Sequence, residues 1–269
     1  MNQRTLLFFT VVLLLSIGIV MIYSTSAIFA QERFNDGYYY LKRQALWIAL
    51  GLGAFAVAMN TDYHNLRAHS VTLIFGSLAL LALVYVPGIG RSAGGASRWI
   101  RLGGFSFQPS EIAKLALILY MADVMARKQR QIDRFWRGLA VPLLLFGTAL
   151  GLIILQPDLG TTILCALVTG IMLFVAGVRM RLLAPLCLAS VPAIYALVFS
   201  SHYRTRRIMA FVNPWADPEG TGFQIIQSFI ALGSGGLTGL GLAQSRQKFY
   251  YLPAAHTDFI FSIIGEELG

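Results

Sequence analysis

The chain has 269 residues, 57% of them hydrophobic and only 12% charged, with a mean hydropathy of +0.67. Soluble domains carry about 25% charged residues, so the composition excludes an ordinary water-soluble globule and points to an integral membrane protein. The formal charge of +9 is scattered between apolar runs, which argues against nucleic-acid binding.

Apolar runs of spanning length fall near 5–24, 43–59, 70–86, 111–126, 139–156, 160–178 and 182–200. An eighth begins at about 258 and is incomplete at Gly269, as expected of a piece of a longer protein. The expected fold is all-α. It is one polytopic membrane domain over 1–269, with about seven complete spans, the start of an eighth, and a long extracytoplasmic loop at 201–257. The first run is too long for a cleavable signal peptide and no clear small-residue cleavage site follows it, so it reads as a retained span. Cys165 and Cys187 lie inside apolar runs and read as small core residues.

Basic residues orient the spans. With the N-terminus inside, Arg4, Arg67, the dense basic stretch 127–137, Arg179 and Arg181 all fall on the cytoplasmic side. The outer side is not poor in cations, however. Its short loops hold Arg33, Lys42, Arg43, Arg91, Arg98 and Arg101, and the long loop adds Arg204, Arg206, Arg207, Arg246 and Lys248. Either the topology signal is weak or the outer cations meet an anion; the second is the expectation here.

Several polar positions are candidates for chemistry. In Gln108-Pro109-Ser110-Glu111-Ile112-Ala113-Lys114, Ser110 reads as an N-cap and Glu111 as a first-turn acid favoured by the helix dipole. Glu111 and Lys114 share a face at i,i+3. Lys114 is either a snorkelling lysine neutralised by Glu111 or a cation facing an internal cavity. Asp158, in Gln156-Pro157-Asp158-Leu159-Gly160-Thr161, either caps the sixth span or pairs with a cation such as Lys114 or Arg43. Arg98, Trp99 and Arg101 lie in an external loop with Gly94, Gly95, Gly103 and Gly104. They are either membrane anchors or a cation and flat face for a phosphorylated sugar.

Within 201–257, the run Phe223 to Leu232 is too short to span and reads as an interfacial or re-entrant helix. The following Gly233-Ser234-Gly235-Gly236 either turns the chain or offers backbone N–H groups to phosphate. Asp258 stands where the long polar loop runs into the eighth apolar run, an expensive place for an acid. It is either a first-turn acid behind a Thr257 N-cap or a carboxylate with a chemical task. No nucleotide-binding fingerprint or zinc spacing is present. His256 lacks a second ligand at helical spacing, so no metal site is assigned.

The text from Gln108 to Lys114, Gln156 to Thr161, Gly222 to Ser228, Gly233 to Gly236, and Leu252 through His256-Thr257-Asp258-Phe259 to Gly265-Glu266-Glu267-Leu268-Gly269 resembles the SEDS family of bacterial cell-wall synthesis. It looks more like the FtsW-like branch and its sporulation relative than like RodA. The resemblance implies a ten-span fold in the bacterial cytoplasmic membrane with both termini cytoplasmic. It also implies peptidoglycan glycosyltransferase activity, polymerising lipid II at the outer face during cell division. Asp258 then matches the essential acid, and Asp158, Glu111, Lys114, Arg43 and Trp99 match further family positions. The implied partners are a class B penicillin-binding protein transpeptidase and other divisome proteins. One departure is Ala254, where relatives commonly carry an acid.

The chemistry fits these residues. A sugar hydroxyl attacking a lipid-linked donor needs a base, assigned to Asp258. The diphosphate leaving group needs cations, with Arg43 and Lys114 first and Arg98, Arg101 and Arg246 next. A single displacement inverts the anomeric centre and gives β-1,4-linked glycan. No cofactor is required by the sequence; a divalent cation, Mg2+ or Mn2+, bridging the diphosphate is compatible with it. The competing readings are a lipid II flippase, against which the lack of a visible internal repeat counts, and a non-catalytic division scaffold, which would tolerate loss of Asp258.

Overall fold

The computed structural model describes residues 3–93, 96–102, 105–132, 134–249 and 251–269. The chain divides into two units, residues 1–60 with 195–269, and residues 61–194. In the first, α1 (Gln3–Phe34) and α2 (Tyr39–Asn60) pack together across the short connection 35–38. Asn35 makes the turn at φ 53°, a left-handed conformation that Asn tolerates. Asp36 closes it by accepting the Tyr38 N–H at 3.0 Å and pairing with the Lys42 ammonium at 2.8 Å. No residue of α2 is buried, and α1 exposes Leu6, Leu7, Phe9, Leu13 and Leu14. Apolar surface of this extent marks contact with lipid.

The second unit holds α3 (Tyr63–Ala68), α4 (Ser70–Leu83), α5 (Pro109–Arg127), α6 (Ala140–Leu155), α7 (Leu159–Val175) and most of α8 (Met180–Phe199). Asp62 caps α3 by accepting the His64 N–H at 2.9 Å. The core is the seam where α4, α5, α6 and α7 meet, with Ile74, Leu81, Leu117, Met121, Ile153 and Leu173 fully or nearly enclosed.

Among the described residues, three helices are long and apolar enough to cross a membrane: Thr5–Phe34, Tyr39–Asn60 and Met180–Phe199. The segments Ser70–Leu83, Ala140–Leu155 and Leu159–Val175 are shorter apolar helices. They span less than the runs read from the sequence because turns take up the ends of those runs, as at Val84 to Gly88 and at Gln156 and Pro157. The run at 111–126 is helical within α5, but it carries Glu111, Lys114 and Asp123 and so is not uniformly apolar.

The expected helical architecture holds, with one addition. Residues 90–107 contain a small antiparallel sheet, β1 (Gly90–Ala93), β2 (Ala96–Leu102) and β3 (Phe105–Phe107), in the order β1-β2-β3. Gly90 pairs with Ile100, Arg91 with Trp99 and Ile100 with Phe107, with an irregularity between Arg91 and Ser92. Gly94, Gly95, Gly103 and Gly104 lie outside the described residues. Gly90 has a steric reason: a Cβ there would sit 1.9 Å from the Val84 carbonyl oxygen. Glycine permits the strand to start directly beneath the end of α4.

In the first unit the chain continues through α9 (His202–Val212), α10 (Phe223–Gly235) and α11 (Ile260–Leu268). The run expected to be a short helix is α10, and it packs on α11. Their approach explains the glycines that follow. A Cβ on Gly235 would lie 1.8 Å from the Gly265 carbonyl oxygen, and one on Gly239 would lie 2.2 Å from that of Glu267. Gly236 and Gly239 also have φ of 59° and 73°. The backbone amides of Leu240 and Gly241 are bonded to the carbonyls of Glu266 and Glu267 at 2.9 and 3.0 Å. These glycines therefore serve a close helix crossing. Gly235→Ala should destabilise the protein by about 1–3 kcal/mol through overpacking. Gly233→Ala, whose Cβ meets nothing within 4 Å, should leave it unchanged or slightly more stable. Thermal unfolding of both variants in one detergent checks the contrast.

Candidate functional site

In the second unit the polar groups gather around the turn between α6 and α7. Asp158 is the N-cap of α7, accepting the Thr161 N–H at 3.2 Å and the Thr161 hydroxyl at 2.9 Å. Its other approach is filled by the Gln108 side-chain amide at 2.9 Å. Of the two readings open for Asp158, the structure gives the cap, and among the described residues the carboxylate makes no ion pair. Arg98 on β2 holds the same turn, its Nε donating to the Gln156 carbonyl at 2.9 Å and a terminal nitrogen donating to the Pro157 carbonyl. The Gln156 side chain is buried and donates to the Leu81 carbonyl at 3.1 Å.

Ser110 is not the cap of α5. Gln108 occupies that position without a side-chain bond to the helix, and Pro109 takes the first turn, where its missing N–H costs nothing. Ser110 lies inside the helix, and its buried hydroxyl, like Gln156 Oε1, has no partner among the described residues. Buried orphans of this kind are commonly met by ordered water. One turn on, Lys114 pairs with Glu111 at 2.8 Å, with the Lys114 side chain 25% and the Glu111 side chain 60% exposed. Trp99 and Arg101 follow Arg98 on β2, flanking the buried Ile100, and Arg101 pairs in register with Ser106.

In the first unit Asp258 lies in the turn before α11. Thr257 does not cap that helix, which starts at Ile260 behind Phe259; its hydroxyl donates instead to the Ala254 carbonyl at 3.2 Å. Asp258 is exposed, and among the described residues it has no hydrogen bond or ion pair. Arg43 is exposed on α2, bonded to the Tyr39 hydroxyl at 3.2 Å and stacked over that ring. Next to Asp258, His256 is wedged against the rings of Phe29 and Tyr40, with centroids 5.4 and 4.7 Å away. Burial there pushes its imidazolium pKa below the ordinary value.

The sequence reading missed the most heavily bonded group in this unit. Glu266 and Glu267, on α11, are both 1% exposed. Glu266 accepts the Arg246 N–H at 3.0 Å, the Gln247 N–H at 3.4 Å and the Ser245 hydroxyl. Glu267 accepts the Ser24 hydroxyl at 3.0 Å and the Ser245 N–H at 3.3 Å, and pairs with the buried Lys248 ammonium at 3.0 Å. Lys248 is further bonded to the Ala243 carbonyl at 2.6 Å. The loop 243–248 is thus stapled to α11 and α1 by carboxylates, and Arg246 takes part through its backbone while remaining exposed. Two adjacent acids in an apolar run were the available signal. Among the described residues no group of three or more His, Cys, Asp or Glu side chains is placed to hold a metal ion.

The sequence model of the FtsW, RodA and SpoVE proteins, described as cell cycle protein, matches residues 4–269. The chain belongs to the FtsW/RodA/SpoVE family. It is 50% identical over 252 residues to a probable peptidoglycan glycosyltransferase FtsW of Geobacter sulfurreducens, covering 94% of this chain and 68% of that one. With stage V sporulation protein E of Bacillus subtilis it shares 46% over 264 residues, covering 98% and 72%. Among solved structures, it resembles a chain from a peptidoglycan synthase complex studied for the coordination of polymerization and crosslinking. That match has a TM-score of 0.66 and 33% identity, covering 95% of this chain and 70% of that one. The rod shape determining protein RodA of Thermus thermophilus aligns with a TM-score of 0.65 and 29% identity, covering 98% and 66%. The chain therefore spans about two thirds of the length of these relatives, and the SEDS resemblance read from its motifs holds.

Within this FtsW/RodA/SpoVE chain, the buried Lys248 and Glu267 pair yields a stability prediction. Removing one partner leaves an uncompensated buried charge, a loss of about 3–5 kcal/mol. Lys248→Met should therefore lower thermal stability more than the double variant Lys248→Met with Glu267→Gln, as read by unfolding in detergent. His256 yields a pH prediction. Its folded pKa lies below the unfolded value of 6.5, so its packing contributes fully above about pH 6.5 and is lost as pH falls through the folded value. His256→Phe should flatten that acid-side loss of stability.

Proposed function

We propose that this chain carries the catalytic part of a peptidoglycan glycosyltransferase. In this reading it polymerises lipid II into β-1,4-linked glycan strands at the outer face of the bacterial cytoplasmic membrane during cell division. One observation carries the reading. Of the acids in the family motifs, Glu111 is paired with Lys114, Asp158 caps α7, and Glu266 and Glu267 bind the loop 243–248. Asp258 alone among them is exposed and unspent. A carboxylate available at the start of a helix is what a general base needs, since it must accept the proton of the attacking sugar hydroxyl.

The remaining assignments belong to the same reading. Arg43 and Arg246 are exposed cations without a carboxylate partner among the described residues, suited to the charge that grows on a diphosphate leaving group. Lys114 and Arg101 supply further positive charge, with Trp99 as a flat face for a sugar. Arg98 and Asp158 contribute by holding the α6–α7 turn. The chain would make seven complete spans and begin an eighth, with the N-terminus cytoplasmic, the segment 201–257 outside, and α10 lying at the interface or re-entering it. The partners would be a class B penicillin-binding protein transpeptidase and other divisome proteins. Supporting this is the resemblance to a chain of a peptidoglycan synthase complex. The described residues supply no cage for Mg2+ or Mn2+, and no step of this reading runs through a metal.

The test is lipid II polymerisation by the full-length protein with its transpeptidase, comparing wild type with Asp258→Asn. Asparagine keeps the size of the side chain and cannot act as the base. The expected result is a loss of about 10²–10⁴-fold in rate with lipid II binding retained. Equal rates would remove Asp258 as the base. Lipid II binding without polymer from either protein would favour a flippase or a scaffold.

A further inference from the structure

We propose that the basic pocket at the C-terminal end of α5 binds the phosphodiester headgroup of an anionic phospholipid from the surrounding bilayer. The site lies in the second unit, away from the family motifs. A cavity of about 310 Å³ is lined by Ala126, Arg127, Lys128, Gln129, Arg130 and Gln131. Among the described residues that lining holds three cations and no acid.

Behind it stands a built ionic cluster. Asp123, whose side chain is 3% exposed, accepts Arg67 Nε at 2.8 Å, Arg127 Nε at 2.7 Å, a second Arg127 nitrogen and the Ser70 hydroxyl at 2.6 Å. A carboxylate offers about four lone-pair sites, so these donors saturate it. The two guanidinium groups are held in place by this buried acid yet remain about half exposed, 46% for Arg67 and 52% for Arg127. Both terminal nitrogens of Arg67 and one of Arg127 have no partner among the described residues. A fixed guanidinium with free N–H groups is the preferred receptor for phosphate oxygens.

The connection to α6 is compact. Gly138 closes onto Gln131, where a Cβ would lie 2.3 Å from the carbonyl oxygen, and the turn Phe135–Leu139 is a π-helix. That turn exposes Trp136 at 83%, and α6 beyond it exposes Val141 and Leu144. Trp beside cations at the end of an apolar helix marks the headgroup level of a membrane. The pocket therefore sits where lipid phosphate is abundant. Orienting a chain across the membrane needs only positive charge on one side, which mobile lysines would supply. It does not call for a buried carboxylate that fixes two arginines. An anionic headgroup matches the excess positive charge, whereas a zwitterionic one would bring a cation of its own.

The test uses the full-length protein in lipid nanodiscs, with phosphatidylglycerol or phosphatidylcholine, and native mass spectrometry to count retained lipid. Two variants are compared with wild type. Arg130→Gln alters an exposed side chain with no partner among the described residues, so the fold should persist. Arg67→Lys can keep the pairing to Asp123 but loses the guanidinium fork. The expected result is preferential retention of phosphatidylglycerol by wild type, reduced about fivefold by either variant. Equal retention of the two lipids, or wild-type retention by Arg130→Gln, overturns the proposal. So does protection of the protein by inorganic phosphate equal to that given by phosphatidylglycerol, which would make a free anion the ligand.

Discussion

Charge inside a protein made largely of apolar helices has to be met by opposite charge or by oriented donors, because neither lipid nor packed side chains can solvate it. Glu266 and Glu267 illustrate how far this constraint reaches. Both are buried on α11, and their oxygens are satisfied by three successive backbone amides, two hydroxyls and the Lys248 ammonium. Meeting that demand requires the loop 243–248 to lie against α11 and α1. It also requires α10 to end close by, which only glycine at 235 and 239 permits. The Asp123 cluster and the α6–α7 turn obey the same rule with different donors.

This division between spent and unspent charge organises the functional reading. Arg98 is a cation between two glycine pairs in the sequence, a contact for an anionic sugar when only the sequence is in view. In the fold its guanidinium donates to two carbonyls and holds the turn that carries Asp158. Lys114 is matched by Glu111. Asp258 carries no such obligation, and its helix is secured from the far end by the carboxylate staple rather than by Asp258 itself. A base can be reactive because other groups do the structural work.

The family motifs acquire separate physical meanings in this light. Gly235 and Gly239 are needed where two backbones touch, and the amides bonded to carbonyls of α11 are those of Leu240 and Gly241. The Gln-Pro-Asp-Leu-Gly turn joins Gln108, Arg98 and Leu81 through hydrogen bonds from three different elements.

The membrane class, the helical character of the apolar runs and the short helix that begins at Phe223 were determined by the sequence alone, because hydropathy and chain punctuation act locally. Tertiary structure alone decided the rest. The sheet at 90–107 depends on pairing between strands, and the glycine-rich text reads equally as loop. Ser110 and Thr257 look like caps in the chain, but Gln108 and Phe259 hold those positions because the helices begin where neighbouring elements allow. Asp158 was open between cap and ion pair until the Thr161 and Gln108 donors were in place. The Glu267 pair with Ser24 joins residues 243 positions apart, and the Asp123 bond to Arg67 joins residues 56 apart. Pairings at such separation leave no local periodicity, since they arise only when packing has excluded the water that would otherwise solvate each charge.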